Sequence, residues 1–160
     1  MEKRNIETIK EDYKKLASKF DLPSFDKMQE DFDMEKLLEK EEGLLARDVR
    51  RVVSEKLGAY LHLFETLMNP SSPPMFVFAF LKNISEQDKK IIKEIYQILS
   101  TFQIENIKLD TIYNEKNEAE FIKKSYIKWQ ESKKKIYSLV EVFEKEFAKN
   151  TETKEKSYFG

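Results

Sequence analysis

Three arginines within five residues, Arg47, Arg50 and Arg51, are the side chains of this sequence best suited to grip an anion. A guanidinium offers a planar fork of donors that holds a carboxylate or phosphate through two bonds at once, which lysine cannot do. The choice stands out because nearly all the other basic residues are lysine. Two readings are open. The cluster docks the acidic groups of a protein partner, or it pairs within the fold, where Arg51 lies one helical turn from Glu55 and Arg47 and Arg50 can reach Glu42, Glu41 or a neighbouring helix.

A second set is Lys123, Lys124, Lys128, Lys133, Lys134 and Lys135, interleaved with Tyr126, Trp129 and Tyr137 and opposed locally by Glu131. Phosphate contacts from such a face, with an aromatic ring for base stacking, make nucleic-acid binding the alternative function. A solvated lysine face competes with it, because Tyr126 and Trp129 fall on the apolar seam of Ile122, Ile136 and Val140. The net charge of −1, from 29 basic and 30 acidic residues, provides no general field to attract a polyanion. A third reading places a small apolar ligand in the core among Tyr60, Phe64, Phe76, Phe78 and Phe80.

Catalytic constellations are not assembled. His62 is the single histidine, and neither Glu-x-x-His nor His-x-x-x-His occurs, so a metal centre of those kinds is not expected. With no cysteine, thiolate ligands, thiol nucleophiles and disulfides are excluded together. Gly43, Gly58 and Gly160 cannot form a phosphate-cradling loop. The expectation is therefore a non-enzymatic protein with no catalytic residue, metal or cofactor. Gly58-Ala59 suits either tight internal packing or the close approach of another helix or a ligand ring.

Helices must position all of these groups. Ile6, Ile9, Tyr13, Leu16, Ala17 and Phe20 recur on one face and predict a helix over 2–20, ended by Pro23. Ser24 or Asp26 caps a short turn, and Asp33 is a candidate cap for a helix from Met34 that Gly43 kinks or ends. The stripe from Leu45 to Met68 is apolar over more than half its circumference, which predicts cover on several sides. Asn69–Pro74 is a loop, and Met75–Leu81 reads as a short buried helix opened by Pro74. Ser85 with Asp88 starts a helix over 86–102, and 103–114 is helical or irregular. The last helix, over 116–149, spans roughly 50 Å, about what 34–68 would span if continuous.

The composition, with 40% hydrophobic residues, 37% charged residues, 3 Gly and 4 Pro, favours few turns and long helices. The fold expected is all-α, an elongated four- to five-helix bundle with two long helices. Residues 1–149 form one domain and 150–160 a flexible C-terminal tail, in which Tyr158 and Phe159 are further partner-binding candidates. No stretch approaches the ~20 apolar residues that span a bilayer, so a cytoplasmic protein without a membrane partner is expected. Homo-oligomerisation is open if a face of the first or last helix stays apolar.

The stretches Leu22-Pro23-Ser24-Phe25, Asn69-Pro70-Ser71 through Pro74-Met75-Phe76, and Glu120-Phe121-Ile122-Lys123-Lys124 through Trp129-Gln130-Glu131 resemble small helical proteins of archaeal type. The resemblance implies a helical fold over most of the chain. No activity and no residue role come with it.

Overall fold

Side-chain caps mark where most of the helices begin. In the computed structural model, which describes residues 5–40 and 43–158 apart from the side chains of 76, 150 and 153–158, α1 covers Ile6–Phe20 and buries Ile9, Tyr13 and Leu16. The Asn5 side chain accepts the Glu7 amide at its start, and Asp21 ends it in the left-handed region at φ 53°, a conformation Asp tolerates better than most residues. Ser24 caps α2, Phe25–Asp31, by accepting from the Lys27 amide. Tyr13 donates its hydroxyl to the Pro23 carbonyl at 2.9 Å and meets the Phe25 ring edge-on, which ties the α1–α2 turn down.

The helix expected from Met34 ends before Gly43, so 34–68 is not one continuous element. Met34–Glu39 is a 3-10 helix that buries Met34 and Leu37, and Lys40 then adopts extended backbone. The break thus comes before Gly43, and α3 starts at Leu45 and runs to Met68. Pro74 precedes α4, Met75–Leu81, in which Val77, Ala79 and Phe80 are buried. The apolar run is therefore the short helix expected of it.

Ser85 opens α5 by accepting from the Asp88 amide, and the helix continues to Thr111, nine residues past Phe102. The segment 103–114, open between helical and irregular from its sequence, is thus helical as far as Thr111, and its last turns carry Asn106 and Asp110 to Arg50 of α3. Asn114 accepts from the Asn117 amide at the start of α6, Glu115–Tyr158. At 1.5 Å per residue its 44 residues span roughly 66 Å. The helical backbone passes Lys149, where the sequence pattern had placed its end.

Among the described residues the chain is all-α, with no strand. The apolar stripe of α3 is covered by α5, α6, the 3-10 helix and α1, while α4 lies on α6. Phe64, Phe80, Ile95, Phe121 and Ile122 are among the side chains most completely removed from water in the shared core, each contributing about 1.5–3 kcal/mol by burial. No helix among the described residues is long and apolar enough to cross a membrane.

Candidate functional site

The arginine cluster sits on the first two turns of α3, where α5 ends and α6 begins. Arg50 is 0% exposed. It donates through Nε to Glu118 and through Nη1 to Asn106, and through Nη2 to Asp110 at 2.5 Å. Arg47 reaches the other Glu118 oxygen at 3.5 Å and lays its guanidinium over the Tyr113 ring, 5.0 Å from the centroid. Arg51 lies 3.4 Å from Asp110, and Ser54 donates to Asn106 at 2.8 Å. Glu118 is also 0% exposed.

The three arginines are thus brought together around side chains of the neighbouring helices α5 and α6, as one of the sequence alternatives allowed for Arg47 and Arg50; Glu41 and Glu42 lie outside the described residues. Glu55 instead accepts from Lys36 at 2.6 Å. The hydrogen bond from Arg50, reinforced by the Arg50 and Arg51 charges, holds the Asp110 carboxyl below the usual range against the opposing effect of desolvation. Arg50 is sealed from any external anion, because exchanging its partners would leave Glu118 in the core with only the longer contact to Arg47. Sequence reasoning missed Glu118, Asn106 and Asp110. They lie over 50 residues from Arg50 and look locally like ordinary polar helix residues.

The lysine set is spread along α6 with counter-ions close by. Lys123 pairs with Asp21 at 2.6 Å, Lys124 with Glu105 at 2.8 Å, Lys128 with Glu131 at 2.8 Å, Lys133 with Asp31 at 3.2 Å and Lys135 with Glu94 at 2.7 Å. Among the described residues, Lys134 alone of the six has no carboxylate within ion-pair distance. Trp129 is buried and packs edge-on against Tyr60, and Tyr126 is half-buried. Tyr137 is the one open ring of the three.

Asp31 anchors the inner end of this face. Burial pushes its pKa up, but hydrogen bonds from Gln130 and Lys133 outweigh that and hold it below the usual range. The indole N–H of Trp129 lies near enough to add to the lowering, yet it makes no hydrogen bond of ordinary geometry, so Gln130 and Lys133 are the partners that fix the carboxylate. Lys56 donates to the Asp31 carbonyl and stands 5.0 Å over the Trp129 ring.

The aromatic set proposed for an apolar ligand is divided. Phe80 packs against Phe143, Tyr60 against Trp129, Phe64 is in the core and Phe78 is 47% exposed. The side chain of Phe76 lies outside the described residues, as do the Tyr158 side chain and Phe159.

Among the described residues, one side of the α3–α5 pair is left half-buried or exposed. On α3, Arg51, Ser54, Gly58, His62 and Glu65 recur about one turn apart. On antiparallel α5, Tyr96, Ser100, Gln103 and Ile107 do the same. A Cβ built at Gly58 meets no atom within 4 Å, so tight internal packing does not account for this glycine. His62, Glu65, Thr66, Met68, Asn69 and Tyr96 line a groove of about 430 Å³ at one end of this face. Ile107 and the adjacent Ile104 stand out toward the other end at 59% and 70% exposed. Among the described residues no group of three or more acidic or histidine side chains is arranged to hold a metal.

No protein-family model, curated protein or solved structure matches this chain, and the resemblance to archaeal-type helical proteins rests on the quoted sequence stretches alone.

Proposed function

We propose that this chain is a non-enzymatic, cytoplasmic interaction module, an elongated bundle of four or five main helices that docks a protein partner across the open face of α3 and α5. The supporting observation is Gly58. A glycine inside a helix costs about 0.5–1 kcal/mol relative to alanine, and among the described residues no group comes within 4 Å of where its Cβ would stand. A partner helix crossing at that notch approaches the α3 backbone closely and covers Ile104 and Ile107, two branched apolar side chains that otherwise face water.

In this reading Arg51, whose side chain is half-exposed, lies at the edge of the contact. Arg47 and Arg50 act from inside, holding α3, α5 and α6 in register. The segment around Tyr158 and Phe159 is a second contact proposed for the same partner. Nucleic-acid binding gains less support, because five of the six lysines already face carboxylates.

The test is photo-crosslinking from p-benzoylphenylalanine in place of Gln103, within the proposed contact, in the native host. A discrete adduct that is lost on Gly58→Leu or Ile104→Glu, and kept on the distant Lys116→Glu, supports the reading. An adduct indifferent to both face substitutions removes it. A second copy of the chain in the adduct would make the face a self-association surface.

A further inference from the structure

The turn between α1 and α2 borders a groove of about 520 Å³ whose lining includes Lys10, Lys14, Ala17, Leu22, Phe25 and Asp26. That volume is in the range of about 300–1,000 Å³ typical of small-molecule sites. Its floor is hydrocarbon. Tyr13 has its hydroxyl committed to the Pro23 carbonyl, and Ala17, Leu22 and Phe25 are only partly buried by the rest of the fold.

The rim has the opposite character. Lys10 and Lys14 are one turn apart on the α1 edge. Lys10 stands 5.4 Å from the Phe25 centroid and meets Asp26 only at 4.0 Å. Lys14 has no carboxylate within ion-pair distance among the described residues. Asp12 pairs with Lys15 and Asp21 with Lys123, whereas Glu7 and Glu11, one turn before Lys10 and Lys14 on α1, make no ion pair with either among the described residues. The Ser24 hydroxyl is used on the Lys27 amide. An apolar floor beside one unneutralised and one loosely held ammonium is complementary to an apolar body that ends in a single negative charge.

We infer that the α1–α2 groove binds a small amphipathic carboxylate, with its hydrocarbon body on Ala17, Leu22 and Phe25 and its carboxylate at Lys14 and Lys10. The contact is electrostatic at one end and hydrophobic along its length, so both headgroup sign and chain length determine affinity. It is independent of the α3–α5 face and requires no partner protein.

The test is methyl NMR on the full chain, titrated below micelle formation with decanoate, hexanoate and decyltrimethylammonium. The expected result is saturable one-site movement of the Ala17 and Leu22 methyls with decanoate, at least tenfold weaker with hexanoate and with the cation. Lys14→Glu, at an exposed position, should weaken decanoate at least fivefold. Ala17→Phe, which fills the groove, should abolish the shifts. If Ala17→Phe fails to fold, Lys14→Glu decides. Equal affinity for the cation, an unaltered Lys14→Glu titration, shifts spread to core methyls such as those of Leu99 and Ile122, or no shift overturns the inference.

Discussion

The two halves of α3 treat solvent in opposite ways. Its first turns place Arg50, a residue built for water or for anions, in full burial against Glu118. Its middle leaves Gly58 facing open space on the side of the helix turned away from the core, next to exposed Ala59 and His62. Both residues stand out in the sequence, and both invite a partner as explanation. The difference teaches that an unusual charge can be satisfied by the fold itself, whereas a missing side chain with no neighbour has no such internal use.

The sharpest way to break this contrast is to disturb the buried pair. Glu118→Ala should destabilise the protein by about 3–5 kcal/mol in urea unfolding, since removing one partner strands a buried charge. Arg51→Ala, which removes a half-exposed guanidinium 3.4 Å from Asp110, should cost about 1 kcal/mol or less. The double variant Arg50→Met with Glu118→Leu should recover part of the Glu118→Ala loss, because both desolvation penalties vanish together. Equal costs for Glu118→Ala and Arg51→Ala would mean that the pair is hydrated in solution and that the two halves of α3 do not differ as described.

Acid provides the next largest test. Asp110 and Asp31 both have folded-state pKa values below the ordinary carboxylate value, which is about 3.9 when unfolded. The unfolded chain therefore takes up protons first as pH falls. Their stabilisation is complete above about pH 5 and is lost progressively as pH drops through the unfolded value and then the lowered folded-state values. A urea midpoint that stays flat for these groups from pH 7 to about pH 5 and then declines is expected. In Asp110→Asn, the acid-dependent part of the decline should shrink. An unchanged slope would place the responsible carboxylates elsewhere.

Helix existence was legible in the sequence because it depends on local periodicity and caps. Asn114 and Ser85 mark starts with side chains that accept backbone amides, although only Ser85 was singled out from its spacing. The breaks were less legible. A 3-10 helix at Met34–Glu39 and an extended Lys40 follow from seating Met34 and Leu37 in the core, which a one-dimensional pattern does not express. For the candidate site, the arginines were visible as unusual residue types, but their fate was decided by Asn106, Asp110 and Glu118 on two other helices. Gly58 was visible too, and its role turns on a neighbour that is absent, which only the assembled fold can reveal.

Gly58 itself yields a smaller and oppositely signed effect. Gly58→Ala should stabilise the isolated protein by about 0.5–1 kcal/mol through improved helix propensity, because the added methyl meets open space. For a chain of this size, that corresponds to a Tm increase of roughly 1–4 °C. Destabilisation would mean that the notch is filled within the free protein, and the contrast between the two halves of α3 would collapse. Increased stability accompanied by weaker crosslinking to a partner would sharpen it, since the same methyl would then help the fold and obstruct the contact.

The smallest effect should come from the lysine face of α6, where five of the six ammonium groups face carboxylates and stay partly exposed. The Lys135–Glu94 pair joins α6 to α5 at 2.7 Å with both side chains roughly half-exposed. A double-mutant cycle with Lys135→Gln and Glu94→Gln should give a coupling of about 0.2–1 kcal/mol that shrinks as salt is raised toward 1 M. Side-chain ordering and screening offset most of the Coulomb attraction at such a site, in contrast to the desolvated Arg50–Glu118 pair. A coupling of several kcal/mol that persists in high salt would mean that α6 is clamped to α5 by its surface ions. The distinction between internal and solvated charge would then fail where the lysines are densest.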